Sequence, residues 1–64
     1  MNKIIFKAKN WTMTFRTRQQ ALNFIRKNSI NPYTANILVL IGTQDVFHLG
    51  SPRADQYFGL KRKN

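Results

Sequence analysis

The 64-residue sequence contains no cysteine, no glutamate and only two aspartates, Asp45 and Asp55. Without cysteine there is no disulfide staple and no thiolate metal site. A chain near the lower size limit for independent folding must then hold itself together by packing. One histidine, His48, and two carboxylates are too few for a multidentate metal centre, and they offer little for acid–base catalysis. No P-loop, dinucleotide fingerprint or nucleophile elbow is present. The glycines, Gly42, Gly50 and Gly59, fall at expected element ends, their ordinary use. Asp45 reads as a turn former, Asp55 as a dipole partner in the first turn of a short helix, and His48 as a strand residue on a partly exposed face. The expectation is a non-enzymatic protein with no metal, no cofactor and no small-molecule substrate. Long apolar runs are missing too. The longest, "ILVLI" at Ile37–Ile41, is far too short to span a bilayer. Lys7 and Lys9 interrupt the apolar start "MNKIIF" too early for a signal peptide. A cytoplasmic protein with no membrane partner is expected.

What is abundant is positive charge. Eleven Lys or Arg oppose the two aspartates, a formal charge of +9. So one-sided a balance draws polyanions: nucleic acid, anionic lipid or an acidic protein surface. Solubility alone is normally met with charges of both signs and does not need this excess. The apolar content of 42%, with five Phe, two Tyr and one Trp, is that of a folding chain and not a disordered one.

Two segments alternate with period two. Ile4, Phe6 and Ala8 oppose Lys3, Ile5 and Lys7; Trp11, Met13 and Phe15 oppose Thr12, Thr14 and Arg16. A two-residue loop at Lys9-Asn10 sets Ala8 opposite Trp11, Phe6 opposite Met13 and Ile4 opposite Phe15, so all six share one face. "KN" lacks the glycine that such turns prefer. The period then changes. Thr17 and Gln20 have the spacing of a capping box, and Ala21, Leu22, Phe24 and Ile25 mark the buried side of an amphipathic helix. Arg26 and Lys27 suit its C-terminal dipole, and Asn28-Ser29 followed by Asn31-Pro32 ends it.

"ANILVLIG" and "DVFHLG" read as a second hairpin around Gly42–Asp45, with Ile41 opposite Val46. That register puts Leu38, Leu40, Phe47 and Leu49 on one face and Ile37, Val39, Ile41, Val46 and His48 on the other. Both faces are apolar, as in strands covered on both sides. In "SPRADQYFGL", Ser51 is the expected N-cap, Pro52 the first helical residue and Gly59 the stop, with Ala54, Tyr57 and Phe58 available to pack on the strands. The expected fold is α+β: a small two-layer ββαββ(α) domain over residues 1–60, with antiparallel hairpins packed on one main helix, and a basic tail at 61–64.

Nucleic acid is the leading partner. Lys3, Lys7, Thr12, Thr14 and Arg16 share the outer face of the first hairpin, with Lys9 at its tip and Arg18 at the start of the helix. Cations and hydroxyls on one pleated face suit successive phosphates, and free amide protons at a helix start add to an anion site. Arg26 and Lys27 on the helix, and Lys61, Arg62 and Lys63 on the tail, add charge in other directions. The plainer reading is that half-buried hairpins routinely present Lys and Thr to water. Trp11, Phe6 and Phe15 fall on the core side, leaving Tyr33 and Tyr57 as the freer aromatics for base stacking. "FRTRQQALNFI" resembles the strand-to-helix joint of the arm-binding domains of tyrosine integrases at Phe15, Thr17 and Ala21. Capping chemistry accounts for that likeness, only two of the three upstream strands fit, and no function follows from it.

The alternative is a protein-binding modulator or inhibitor docking on an acidic surface of a larger complex, as viral accessory factors do on host machinery. Ile37, Val39, Ile41 and Val46 would then form a partner or dimer seam, if residues 51–60 leave them uncovered. The expected partner is DNA or RNA, with an acidic protein surface or a second copy as the other choice.

Overall fold

A computed structural model describes residues 3–60. Six elements follow in the order β1 (Ile4–Lys7), β2 (Thr12–Phe15), α1 (Arg18–Lys27), β3 (Leu38–Ile41), β4 (Asp45–His48) and α2 (Pro52–Phe58). The strands make one antiparallel sheet in the order β2-β1-β3-β4. This is the expected ββαββ(α) arrangement. The basic tail at 61–64 lies outside the described residues.

The first hairpin has the register that alternation requires, with Ile4 opposite Phe15 and Phe6 opposite Met13. The Ala8 N–H donates to the Trp11 carbonyl at 2.9 Å and closes the Lys9-Asn10 loop. Neither loop residue needs a positive φ, so the turn forms without glycine. Thr17 then caps α1: its Oγ1 accepts from the Gln20 N–H at 3.1 Å. The Gln20 Oε1 reaches back one residue further than a capping box requires and accepts from the Arg16 N–H at 2.9 Å. At the other end, Ile30 N–H donates to Ile25 and Ser29 N–H to Arg26, the paired bonds of a Schellman motif. Ser29 takes the left-handed position at φ 52°.

The second hairpin differs from expectation by one residue. Asp45, not Val46, lies opposite Ile41, so the loop is the three residues Gly42, Thr43 and Gln44. Gly42, at φ 62°, turns the chain early, and its N–H donates to the Lys3 carbonyl to extend the β1–β3 ladder. The slip regroups the faces. Phe47 and Leu49 join Ile37, Val39 and Ile41 in the core, while Leu38, Leu40, Val46 and His48 turn outward.

Both helices pack on one side of the sheet. Phe6, fully buried, sits at the centre, with ring centroids of Phe15, Phe24 and Phe58 at 5.0, 6.3 and 5.9 Å. Ala21 and Ile25 of α1 and Ala54 and Phe58 of α2 complete a core with no buried polar side chain among the described residues. Helix α2 begins as expected, with the Ser51 Oγ accepting from the Ala54 N–H at 3.2 Å and Pro52 in the first turn. Its Tyr57 lies 6.1 Å from Phe47, ring to ring.

This packing corrects the expected seam. Ile37, Val39 and Ile41 face the helices at 3%, 0% and 5% exposure, and only Val46, on the opposite face, is open at 57%. The four residues therefore do not form one surface patch.

Candidate nucleic-acid interface

With both helices on one side, the other face of the sheet is bare among the described residues. Strand alternation and register set its rows. Thr14, Ile5, Leu40 and Val46 form one row across the strands; Thr12, Lys7, Leu38 and His48 form the next. Continuing the β1–β2 register places Arg16 across from Lys3. The face thus has two halves. Strands β1 and β2 present Lys3, Lys7, Thr12, Thr14 and Arg16, all exposed. Strands β3 and β4 present an aliphatic stripe of half-buried Leu38 and Leu40 with exposed Val46, and half-buried Ile5 borders it.

Neither aspartate reaches this face. Asp45 lies opposite inward-facing Ile41 and accepts from the Arg53 guanidinium at 2.6 Å. Asp55, in α2, accepts from the Tyr33 hydroxyl at 3.0 Å. Among the described residues the bare face therefore carries cations, hydroxyls and aliphatic carbon without an opposing carboxylate.

The structure brings together five of the expected phosphate-binding residues, Lys3, Lys7, Thr12, Thr14 and Arg16, and sets Lys9 at the end of the same hairpin. It separates the others. Arg18 donates from Nη1 to the Tyr57 carbonyl at 3.3 Å and ties α1 to α2. Arg26 and Lys27 occupy the last turn of α1, in the helical layer. Lys61, Arg62 and Lys63 lie outside the described residues. The two tyrosines are engaged within the fold: Tyr33 with Asp55, and Tyr57 with Phe47 and Phe58.

Two features were not expected. His48 shares the row of Lys7, because the one-residue change in register turned it to the bare face. Trp11, just before β2 and on its core side, is 38% exposed although Phe24 of α1 packs against it, since β2 is an edge strand and leaves the outer side of the indole uncovered. Trp11 lines an open cleft of about 420 Å³ with Lys9 and Asn10 of the hairpin tip, Asn28 and Ser29 after α1, and Asn36 before β3. An asparagine cluster brought together from three separate segments leaves no periodic signal in the sequence.

Among the described residues no group of His, Cys, Asp or Glu is placed to hold a metal ion, and no helix is long and apolar enough to cross a membrane. The chain matches no protein-family model, no curated protein sequence and no solved structure at a significant level, so a functional reading rests on the geometry of this face and cleft.

Proposed function

We propose that the protein is a non-enzymatic accessory factor that binds nucleic acid through the bare face of its sheet. The observation that carries this reading is the meeting of Lys3, Lys7 and Arg16 with Thr12 and Thr14 on one acid-free surface. Ammonium and guanidinium groups attract phosphates, and the threonine hydroxyls donate hydrogen bonds that fix the backbone's position. The net charge of +9 adds long-range attraction that raises the rate of encounter. Interactions of this kind position a strand without reading its sequence, so the expected mode is tolerant of base identity.

The test is a salt titration of binding to unrelated DNA and RNA. Four cations, Lys3, Lys7, Lys9 and Arg16, engaging one phosphate each give a slope of log affinity against log salt of about −3.6 on duplex DNA and about −2.8 on single strands. Failure to bind either polymer at low salt would sink the proposal.

One observation favours a second reading, docking on an acidic protein surface. The stripe of Leu38, Leu40 and Val46 beside the cations has the mixed apolar and basic character of a protein interface. A stoichiometric protein partner that survives nuclease treatment in a pull-down would promote this reading.

A further inference from the structure

We infer that the cleft at Trp11 receives one unpaired base of a single-stranded nucleic acid whose backbone lies along the bare sheet face. This rests on the reading above and adds to it a substrate class and a second site. The cleft lies at the end of the β1–β2 hairpin, and Lys9-Asn10 belong both to the tip and to the cleft wall. The cleft opens on the helical side of the sheet, so a strand passing Lys7 and Thr12 reaches it by turning round the hairpin tip at Lys9-Asn10.

The lining has what an aromatic base requires. Trp11 supplies a flat π surface. Phe24 braces it at 5.6 Å between ring centroids and 60° between planes, so its position is set before any ligand arrives. Stacking on such a ring tolerates every base, because each has a π face. Around it stand three carboxamides. The Asn10 and Asn36 side chains have no hydrogen-bond partner among the described residues. Asn28 donates from Nδ2 to the Phe24 carbonyl at 2.9 Å, which leaves its Oδ1 as an acceptor. A carboxamide offers donor and acceptor side by side, matching the edge of a base. Among the described residues Lys9 is the one charged group in the lining, and its sign suits the phosphate that accompanies the base. Lys9 lies in the loop after β1 and Asn36 in the segment before β3, so groups for the phosphate and for the base edge come from two separate segments that line the same cleft. The volume of about 420 Å³ falls within the roughly 300–1,000 Å³ of small-ligand sites. A duplex keeps its bases stacked inside and would have to flip one out, at a cost of a few kcal/mol that a single strand largely avoids.

Trp11 is the single tryptophan of the chain, so its emission reports on the cleft directly. The experiment titrates the full chain with short single-stranded DNA and RNA, a blunt duplex and inorganic polyphosphate. Binding is followed by anisotropy of a labelled competitor, and the cleft by Trp11 emission. Single strands should quench the emission as they bind, while duplex and polyphosphate bind without quenching. Trp11→Ala should weaken single-strand binding about 10-fold, within the range for removing one base–aromatic stack, and leave duplex binding within about 2-fold. Asn10→Ala with Asn36→Ala removes no core packing, and this pair should weaken single-strand binding several-fold with the tryptophan still present as reporter. A single strand that binds without changing Trp11 emission overturns the inference and leaves the sheet-face reading standing. So does an equal weakening for single strand, duplex and polyphosphate in either variant. Absence of binding to DNA and RNA alike, single-stranded and duplex, overturns both.

Discussion

A methyl group added at Gly50 would lie 2.4 Å from the carbonyl oxygen of Pro32, and Gly50 already sits at φ 91°. Neither obstacle is a flexible side chain, so the loop before β3 and the turn before α2 would both have to move. Gly50→Ala should cost about 2–4 kcal/mol, the sum of a backbone clash and a strained φ. Urea denaturation checks this through the midpoint, and a destabilisation below about 1 kcal/mol would show that the Pro32 backbone yields easily. Ser29 presents the opposite case. It holds the left-handed position of the Schellman turn at φ 52° with a side chain that disfavours it. Ser29→Gly should therefore stabilise the fold by about 1 kcal/mol, or about 4–8 °C in Tm for a domain this small. No change in Tm would mean that the entropy glycine loses on folding cancels the relief of strain.

Among the elements, α2 depends most on its neighbours. Seven residues are too few for a helix to persist alone in water, so its cap and its packing on the sheet must hold it. Phe58 is its largest buried side chain, at 4% exposure and with its ring against Phe6. Phe58→Ala should cost about 3 kcal/mol or more, comparable with the total stability of a domain of this size. Thermal melting followed by circular dichroism should then lose its cooperative transition. A cooperative melt within a few degrees of the parent would exclude α2 from the folding unit. The two hairpins also show why one register was legible in the sequence and the other was not. In the first, Lys3, Lys7, Thr12 and Thr14 mark a wet face, and any slip would bury them. In the second, Leu38, Leu40 and Val46 are as apolar as Ile37, Val39 and Ile41, so a one-residue slip leaves the hydrophobic pattern intact. The loop geometry at Gly42 made the choice, and with it moved Val46 and His48 to the bare face. Local capping was legible because Thr17, Ser51, Pro52 and Gly59 act within a few residues of themselves. The exposure of Trp11 was hidden for the reverse reason: it depends on β2 being an edge strand, a property of strand order and not of alternation.

At the scale of the molecule, total charge and its placement make separable contributions to binding. The cations on the bare face, Lys3, Lys7 and Arg16, and those of the helical layer, Arg18, Arg26 and Lys27, contribute the same formal charge from opposite sides. Long-range attraction responds to both sets, whereas released counterions are counted only where phosphates are touched. Two triple variants separate the effects. Lys3→Gln with Lys7→Gln and Arg16→Gln removes three charges from the face; Arg18→Gln with Arg26→Gln and Lys27→Gln removes three from the helices. All six residues are exposed and none enters the core; Arg18→Gln also removes the bond to the Tyr57 carbonyl, so the melting temperature of each variant is measured first, with a loss of no more than about 1 kcal/mol expected. On duplex DNA the face variant should flatten the salt slope by about 2.7, at about 0.9 for each phosphate no longer neutralised. The helix variant should lower the association rate but change the slope by less than about 1. Equal flattening in both would mean that the polymer is held by overall charge without a preferred face. Greater flattening in the helix variant would move the interface to the other layer.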